Sequence, residues 1–179
     1  MARPAAYTPE LARALNNLSN RLADMGRQNE ALTTIEEAVG MCRRLAMERP
    51  AAYTSALAYS LNNLSNLLSI MGQQNEALAA IEEAVEILRK LTAQSPAAHN
   101  PDLAMSLWTL ALCLSDLDRH QNALPVIQES VRLYRSLLSD RPSCFTPYLA
   151  QVLRVYSGVS AALNRHEEAA DASTEAVRS

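Results

Sequence analysis

Apolar side chains recur along the chain at helical spacing. Leu11, Leu15, Leu18, Leu22 and Met25 follow one another at steps of four, three, four and three residues. Such steps place the five side chains on one face of an α-helix. We therefore predict a first helix whose apolar stripe packs against the helix that follows it.

A second helix is predicted to begin near Asn29. Its inner face carries small and aliphatic residues at helical spacing: Ala31, Ile35, Ala38, Val39, Cys42 and Leu45. The two alanines allow the pair of helices to approach closely. The second helix should end before Pro50, because a residue that precedes proline is disfavoured in the α conformation. Residues 51–54 are then expected to form a short link to the next helix.

This helical hairpin repeats along the chain. The run Leu15-Asn-Asn-Leu-Ser-Asn20 returns 46 residues later as Leu61-Asn-Asn-Leu-Ser-Asn66, and 28 of the 43 positions in 4–46 match those in 50–92. A fixed period of this length is typical of solenoids. Counting a blurred third copy and a truncated fourth, the chain holds about 3.75 repeats. The predicted fold class is all-α, a right-handed α-solenoid of helical hairpins with eight helices.

The repeat boundaries are expected within one domain. The predicted repeats are 8–53, 54–99, 100–145 and the truncated 146–179. The first helices should open at Thr8-Pro9, Thr54-Ser55, Asn100-Pro101 and Thr146-Pro147, where a capping side chain or a first-turn proline is favourable. They should end at residues that tolerate a left-handed backbone, namely Gly26, Gly72, Asp118 and Asn164.

Composition narrows the function classes. The chain is 49% hydrophobic with a net charge of −3, so it lacks the basic footprint of a nucleic-acid binder. Cys42, Cys113 and Cys144 are odd in number and widely spaced, which argues against a disulfide scaffold or a zinc site and fits a reducing compartment. No apolar run reaches the roughly 20 residues of a membrane span, and the start does not read as a signal peptide. A cytoplasmic protein without cofactor or metal is expected.

Catalytic patterns do not stand out in the sequence. There is no Ser/His/Asp, Cys/His or Gly-rich phosphate-binding arrangement, so no enzymatic activity is predicted. His120 and His166 lie one period apart at the expected hairpin turn, and His99 occupies a linker position held elsewhere by aromatic residues. These positions favour turn and packing roles for the histidines.

The repeat resembles the tetratricopeptide repeat, whose motif is W-x2-L-G-x2-Y followed by A-x3-F and P. The matching residues of the first copy are Leu15, Leu18, Ser19, Leu22, Ala31 and Ile35. Aliphatic residues replace the aromatic ones, and the period is 46 rather than 34. Longer repeats carrying Leu-Asn-Asn-Leu are similar to those of kinesin light chains and to the repeat arms of fungal and bacterial NLR-like proteins. The resemblance implies that the first helices line a concave groove.

Asparagines are the first candidates for binding in that groove. The groove-facing positions are predicted to be Asn16, Asn20, Tyr59, Asn62 and Asn66. An asparagine amide offers a donor and an acceptor, which match the two polar groups of a peptide bond. In the kinesin light chain type, which these repeats resemble, groove asparagines are understood to hold peptide main chain. Two structural alternatives remain open: Asn17 and Asn63 can bond across the seam between repeats, and recent duplication can preserve asparagines without a ligand.

Apolar anchors are also needed. Four asparagine hydrogen bonds at about 0.5–1.5 kcal/mol each barely offset an association cost of at least about 4 kcal/mol. The third repeat offers Met105, Trp108 and Leu112 at the corresponding positions, and tryptophan is a favoured hot-spot residue. Alternatively, Trp108 packs against Arg154 or Val155 as core.

The sequence thus predicts a protein–protein interaction module that binds an extended peptide in its groove, with neither nucleic acid nor membrane as a partner. The alternative is a structural arm of a larger signalling protein that self-associates end to end. The remaining stripe of the last helix is small and buries little area: Ala169, Ala170, Ser173, Ala176 and Val177. That helix would either fray or be held by a neighbouring molecule.

Overall fold

The computed structural model describes residues 8–140 and 142–178. Over these residues the chain forms eight α-helices and no strand. The helices are α1 (Thr8–Asp24), α2 (Gln28–Glu48), α3 (Pro50–Ile70), α4 (Gln74–Gln94), α5 (Pro96–Asp116), α6 (His120–Asp140), α7 (Pro142–Ala162) and α8 (His166–Arg178). The predicted all-α fold of helical hairpins is confirmed. None of these helices combines the length and the apolarity that crossing a membrane requires.

The chain divides into two compact units, Met1–Leu88 and Arg89–Ser179, with the division inside α4. In the first unit α1 packs on α2, and α3 contacts both. In the second unit α5 packs on α6, α6 on α7 and α7 on α8, while α5 also touches α7. Successive first helices are therefore neighbours within each unit. The expectation of a single domain with the boundaries given above stays a prediction.

The core of the first unit forms around α2. Ala31, Ile35 and Ala38 are fully buried and cluster with Leu22 of α1 and Leu67 of α3. Residues packed against this cluster are Leu15, Ala23, Leu32, Leu64 and Met71. The predicted inner face of the second helix is confirmed, and its alanines permit the close approach of α1 and α3.

The apolar stripe predicted for α1 is only partly buried. Leu11 and Leu18 are 45% and 49% exposed, and Met25 is exposed as well. The buried face of α1 consists instead of Ala12, Asn16, Ser19 and Leu22. One period later Leu57 is buried and Leu64 packs against the cluster that contains α2. Leu15 and Leu22 of α1 therefore meet α2, as predicted. The prediction that the stripe faces the following helix is wrong for Leu11, Leu18 and Met25, which are exposed.

A second cluster forms the core of the unit 89–179. It consists of Ala104, Ala111, Ile127, Val131, Tyr134, Leu149, Val152, Leu153, Ala172 and Ala176. Ile127 of α6 has the repeat position of Ile35 and is also fully buried. The alanines of α8 show that even the last helix contributes to a packed core.

The turn inside each hairpin has the predicted left-handed residue. The φ angles are +74° at Gly26, +77° at Gly72, +56° at Asp118 and +59° at Asn164. In the first turn the Gly26 N–H donates to the Ala23 carbonyl and the Arg27 N–H to the Leu22 carbonyl, both at 2.9 Å. This pair of bonds is the Schellman arrangement that closes a helix C-terminus.

We expect Gly72→Ala to lower the free energy of unfolding by about 1–2 kcal/mol, the usual cost of a left-handed backbone for a residue with a Cβ. An added Cβ would meet nothing within 4 Å, so the cost is purely conformational. Gly158→Ala is the matched control, because Gly158 is an α7 residue with equally open space. There alanine should stabilise by about 0.5–1 kcal/mol. Urea denaturation measures both changes, and shifts of the same sign would contradict this account of the turn.

Three of the first helices do not begin where the sequence suggested. The helix α3 begins at Pro50 and α5 at Pro96, and only Arg49 separates α2 from α3. Proline needs no N–H partner in the first turn, so it ends one helix and begins the next. The predicted link 51–54 is therefore helical, and Thr54 donates to the Pro50 carbonyl at 2.7 Å inside α3 rather than capping it. Likewise α7 begins at Pro142, so Pro101 and Pro147 lie inside helices.

Candidate functional site

The predicted asparagines separate into a buried pair and an exposed pair. Asn16 and Asn62 are only 3% and 2% exposed, and the expectation that they face a groove is corrected. The Asn16 amide nitrogen donates to the Ser60 hydroxyl at 2.8 Å and to the Ala12 carbonyl at 3.0 Å. Asn63 donates to the Asn16 side-chain oxygen at 3.2 Å. Asn16 thus uses both ends of its amide to join α1 to α3.

The other polar groups at the contact between α1 and α3 also have partners. The Ser60 hydroxyl also lies 3.0 Å from the Ala56 carbonyl and 3.4 Å from the Cys42 sulfur. Asn63 therefore bonds across the seam between repeats, as its structural alternative stated, whereas Asn17 is exposed. The network has a structural role, since buried polar groups that are bonded in this way specify one arrangement of helices.

The exposed pair, Asn20 and Asn66, lies on the surface formed by α1 and α3, which we call the amide surface. Both amides are exposed, and neither has a hydrogen-bond partner among the residues that the structure describes. On α3 the spacing of Tyr59, Asn66 and Ile70 puts them on one helical face, with Tyr59 45% and Ile70 65% exposed. The amide surface therefore combines two free amides with two accessible apolar side chains.

Charges flank this surface on α1. Arg13 and Asp24 share a helical face with Asn20, and both are exposed. The amide surface is thus neutral in sum, with a positive and a negative group at opposite ends. This arrangement does not select a strongly charged partner, and it leaves hydrogen bonding and apolar contact as the available chemistry.

The second unit presents a more apolar face. On α5, Leu112 is 38% exposed and Met105 is half-buried, while Thr109 between them is buried. Trp108 packs against the buried cluster of this unit, and its indole nitrogen is buried without a hydrogen-bond partner among the described residues. The structure therefore favours the packing alternative for Trp108 and leaves Met105 and Leu112 accessible.

We expect the fluorescence of Trp108, the only tryptophan, to be blue-shifted in the free protein and poorly quenched by iodide, because the ring packs against the core. Trp108→Phe should destabilise less than Trp108→Ala, since phenylalanine keeps most of the contact and removes the unpaired N–H, whose burial costs about 1–3 kcal/mol. If the emission maximum of the native protein is already that of a solvent-exposed ring and does not shift further to the red in urea, the ring is exposed and this prediction is wrong.

A ladder of ion pairs crosses successive second helices, and sequence reasoning missed it. Arg43 lies 2.7 Å from Glu83 and Arg89 lies 2.7 Å from Glu129, and Arg135 pairs with Glu175 in the same way. The bond to Glu175 raises the pKa of Arg135. The recurrence of arginine and glutamate at the period of 46 residues could have signalled the ladder. Because the side chains are about half exposed, each pair adds little stability.

The remaining side chains that could bind a metal ion or react are arranged as follows. The described residues contain no group of three or more His, Cys, Asp and Glu side chains that could hold a metal ion. Cys42 and Cys113 are buried thiols, whereas Cys144 is exposed. Burial raises the pKa of the Tyr134 hydroxyl, and this ring stacks on Tyr148 with 6.0 Å between centroids. That environment is typical of packing.

Residues 11–46 and 57–94 match the family model described as tetratricopeptide repeat. These segments are therefore tetratricopeptide repeats, and the resemblance to that family is confirmed. Residues 91–157 match the model described as anaphase-promoting complex subunit 5. No curated protein sequence matches the chain.

Solved structures share the fold. The crystal structure of BtubC (BKLC) from P. vanneervenii superposes with a TM-score of 0.79 at 16% identity, covering 96% of this chain and 63% of that one. Aspartyl phosphate phosphatase F from Bacillus subtilis gives 0.74 at 13% identity, covering 94% and 40%. MamA gives 0.62 at 15% identity, covering 95% and 78%. The chain thus spans less than two thirds of the first two proteins, and at these identities the likeness concerns the fold alone.

Proposed function

We propose that this chain is a protein-interaction module that holds an extended segment of a partner protein on the amide surface. Tetratricopeptide repeats are protein-interaction scaffolds, and stacked repeats of such solenoids offer extended binding surfaces. The observation that carries the proposal is a pair of exposed amides, Asn20 and Asn66, at the same position of two neighbouring helices. Neither has a partner in the part of the chain that the structure describes. Binding rather than catalysis is the proposed activity.

The amides would bond to the partner's main chain. Each side chain can accept from a peptide N–H and donate to a peptide carbonyl, so it recognises any extended segment regardless of sequence. Two such residues contribute only about 0.5–1.5 kcal/mol for each bond, which does not offset the cost of association. Tyr59 and Ile70 would supply the rest, because burying a large apolar side chain contributes about 1.5–3 kcal/mol.

The remaining predicted site residues receive different roles in this proposal. Met105 and Leu112 would provide apolar contact for a partner that also reaches the second unit. Asn16 and Asn62 would hold the helices in place without touching the partner, in keeping with their burial. Trp108 would likewise support α5 from the core side.

The test begins with unstructured 12-residue peptides selected from a random displayed library against the full chain. For a selected peptide, Asn20→Ala with Asn66→Ala should weaken binding by about 5- to 150-fold in calorimetry, the equivalent of about 1–3 kcal/mol. The control is Asn29→Ala with Asn75→Ala, which removes two exposed asparagines that are also one period apart but lie on second helices. Equal loss in both double variants, or none in either, would refute the amide surface as the binding site.

A further inference from the structure

The α1 helix exposes a face whose counterpart on α3, one period later, is covered. Leu18 is 49% exposed, whereas Leu64, one period later, packs against the cluster that contains Ile35. Leu11 is likewise exposed and its counterpart Leu57 is buried. We call Leu11, Leu18 and Met25 the leading face of α1. Its composition is that of a helix contact rather than of a solvated surface.

The helix that covers the equivalent face of α3 has a distinct pattern. The α2 helix carries Ile35, Val39 and Arg43 at steps of four residues; the first two are buried, and Arg43 pairs with Glu83. The same pattern, Ile-x3-Val-x3-Arg, recurs in α4 and α6 as Ile81, Val85, Arg89 and Ile127, Val131, Arg135. In the second unit it serves the same contact, because Ile127 and Val131 cluster with residues of α7 and Arg135 pairs with Glu175.

Glu37 provides a charge that matches this pattern. It occupies the repeat position of Glu83, Glu129 and Glu175, each of which accepts from an arginine of the preceding second helix. Glu37 is exposed and has no ion-pair partner in the described part of the chain. The leading face and Glu37 therefore form one side of a helix contact, with an apolar part and an acidic part. The matching side is a helix with the pattern Ile-x3-Val-x3-Arg.

The last helix of a second copy does not provide that half. At the isoleucine position α8 has Ser173, which is exposed. At the valine position it has Val177, which is 86% exposed. The corresponding helices α2 and α6 use their own patterns within the chain. Copies joined end to end through α8 would thus cover the leading face poorly, because a serine occupies the position of the packed isoleucine.

We propose that the leading face of α1, together with Glu37, docks a partner helix with the pattern Ile-x3-Val-x3-Arg, in the arrangement that α2 has on α3. The isoleucine and valine would cover Leu11 and Leu18, and the arginine would pair with Glu37. This docking site is separate from the amide surface, so neither proposal depends on the other.

The probe is a synthetic peptide of residues 74–94, the α4 sequence, with Ala79→Lys joined to Glu83 as a lactam on the side opposite Ile81. The crosslink holds the helix, which a free peptide of this length forms only marginally. Fluorescence anisotropy with the full chain should show saturable binding. Leu18→Asp should weaken it at least about 10-fold, because it places a charge against the valine and isoleucine.

A charge exchange tests the register. Glu37→Arg in the chain should weaken binding several-fold, and Arg89→Glu in the peptide should restore it on that variant while weakening binding to the unaltered chain. Glu36→Arg, an exposed neighbour outside the ladder, should have little effect.

Three results would overturn the proposal: no binding of the crosslinked peptide, equal effects of Glu36→Arg and Glu37→Arg, or no restoration by the exchange. Sedimentation supplies a further one. A dimer that is abolished both by Leu18→Asp and by Val177→Asp would assign the leading face to a second copy instead.

Discussion

Asn16→Ala is expected to lower the free energy of unfolding by about 2–4 kcal/mol in urea denaturation. The substitution removes three hydrogen bonds, two of which join α1 to α3, and leaves the Asn63 amide and the Ser60 hydroxyl with fewer partners. A buried polar group left without its partner costs about 1–3 kcal/mol, and two groups are affected. The effect is large because Asn16 is buried rather than because it touches a ligand.

Asn20→Ala is the matched control, four residues further along the same helix. Asn20 is exposed and has no partner in the described residues, so alanine should be neutral or slightly stabilising through its better helix propensity. Equal destabilisation by the two substitutions would contradict the assignment of Asn16 to the helix contact and Asn20 to the surface.

Ile127→Ala should destabilise the protein by about 2–5 kcal/mol, the usual cost of a cavity at a fully buried aliphatic position. Ile127 is completely buried in the cluster of the second unit, between α6 and α7. Urea denaturation again provides the measurement, with a midpoint that falls while the slope stays constant.

The same repeat position in α8 supplies the comparison. Ser173 occupies the place of Ile127 but is exposed, so Ser173→Ile should change stability by no more than about 0.5 kcal/mol. A gain of several kcal/mol would mean that something covers this face of α8. The contrast separates the repeat position, which is common to both helices, from the burial, which is not.

The sequence predicted the hairpins and their turns well because those features are local. The left-handed residues at Gly26 and Asp118 follow from the few residue types that accept such a backbone. The inner face of α2 was equally clear, since Ala31 and Ile35 are small or aliphatic at strict helical spacing. The start of α3 was missed because Pro50 ends one helix and begins another, and its first role hid the second.

Orientation around a helix was the harder problem. The leucines of a first helix form one stripe, but periodicity does not say which of them meet the following helix and which meet the preceding hairpin. Adjacent positions differ by about 100° around the axis, so a small error in the assumed orientation of the helix changes which residues are exposed. For this reason Asn16, which is buried, was predicted to face the groove. The buried asparagine was not expected because its partner, Ser60, lies 44 residues away. Only the packed structure brings the two together.

The ion pairs show the same limit. Nothing in the sequence near Glu83 indicates an ion pair, because its partner, Arg43, lies on another helix 40 residues earlier. Neither residue has a partner of opposite charge within one helical turn that would have suggested a bond. Aligning the repeats with one another, rather than inspecting each helix alone, reveals the recurring arginines and glutamates and the unpaired Glu37.

The most direct test of main-chain binding on the amide surface is a double-mutant cycle with N-methylated peptide. Calorimetry would compare a selected peptide with versions methylated at single backbone amides, against the full chain and against its Asn20→Ala, Asn66→Ala variant. We predict that methylation at one or two amides weakens binding to the full chain about 10-fold and has little effect on the variant. Binding that depends on the peptide's side chains but is indifferent to methylation, or that loses as much on the variant as on the full chain, would contradict the account.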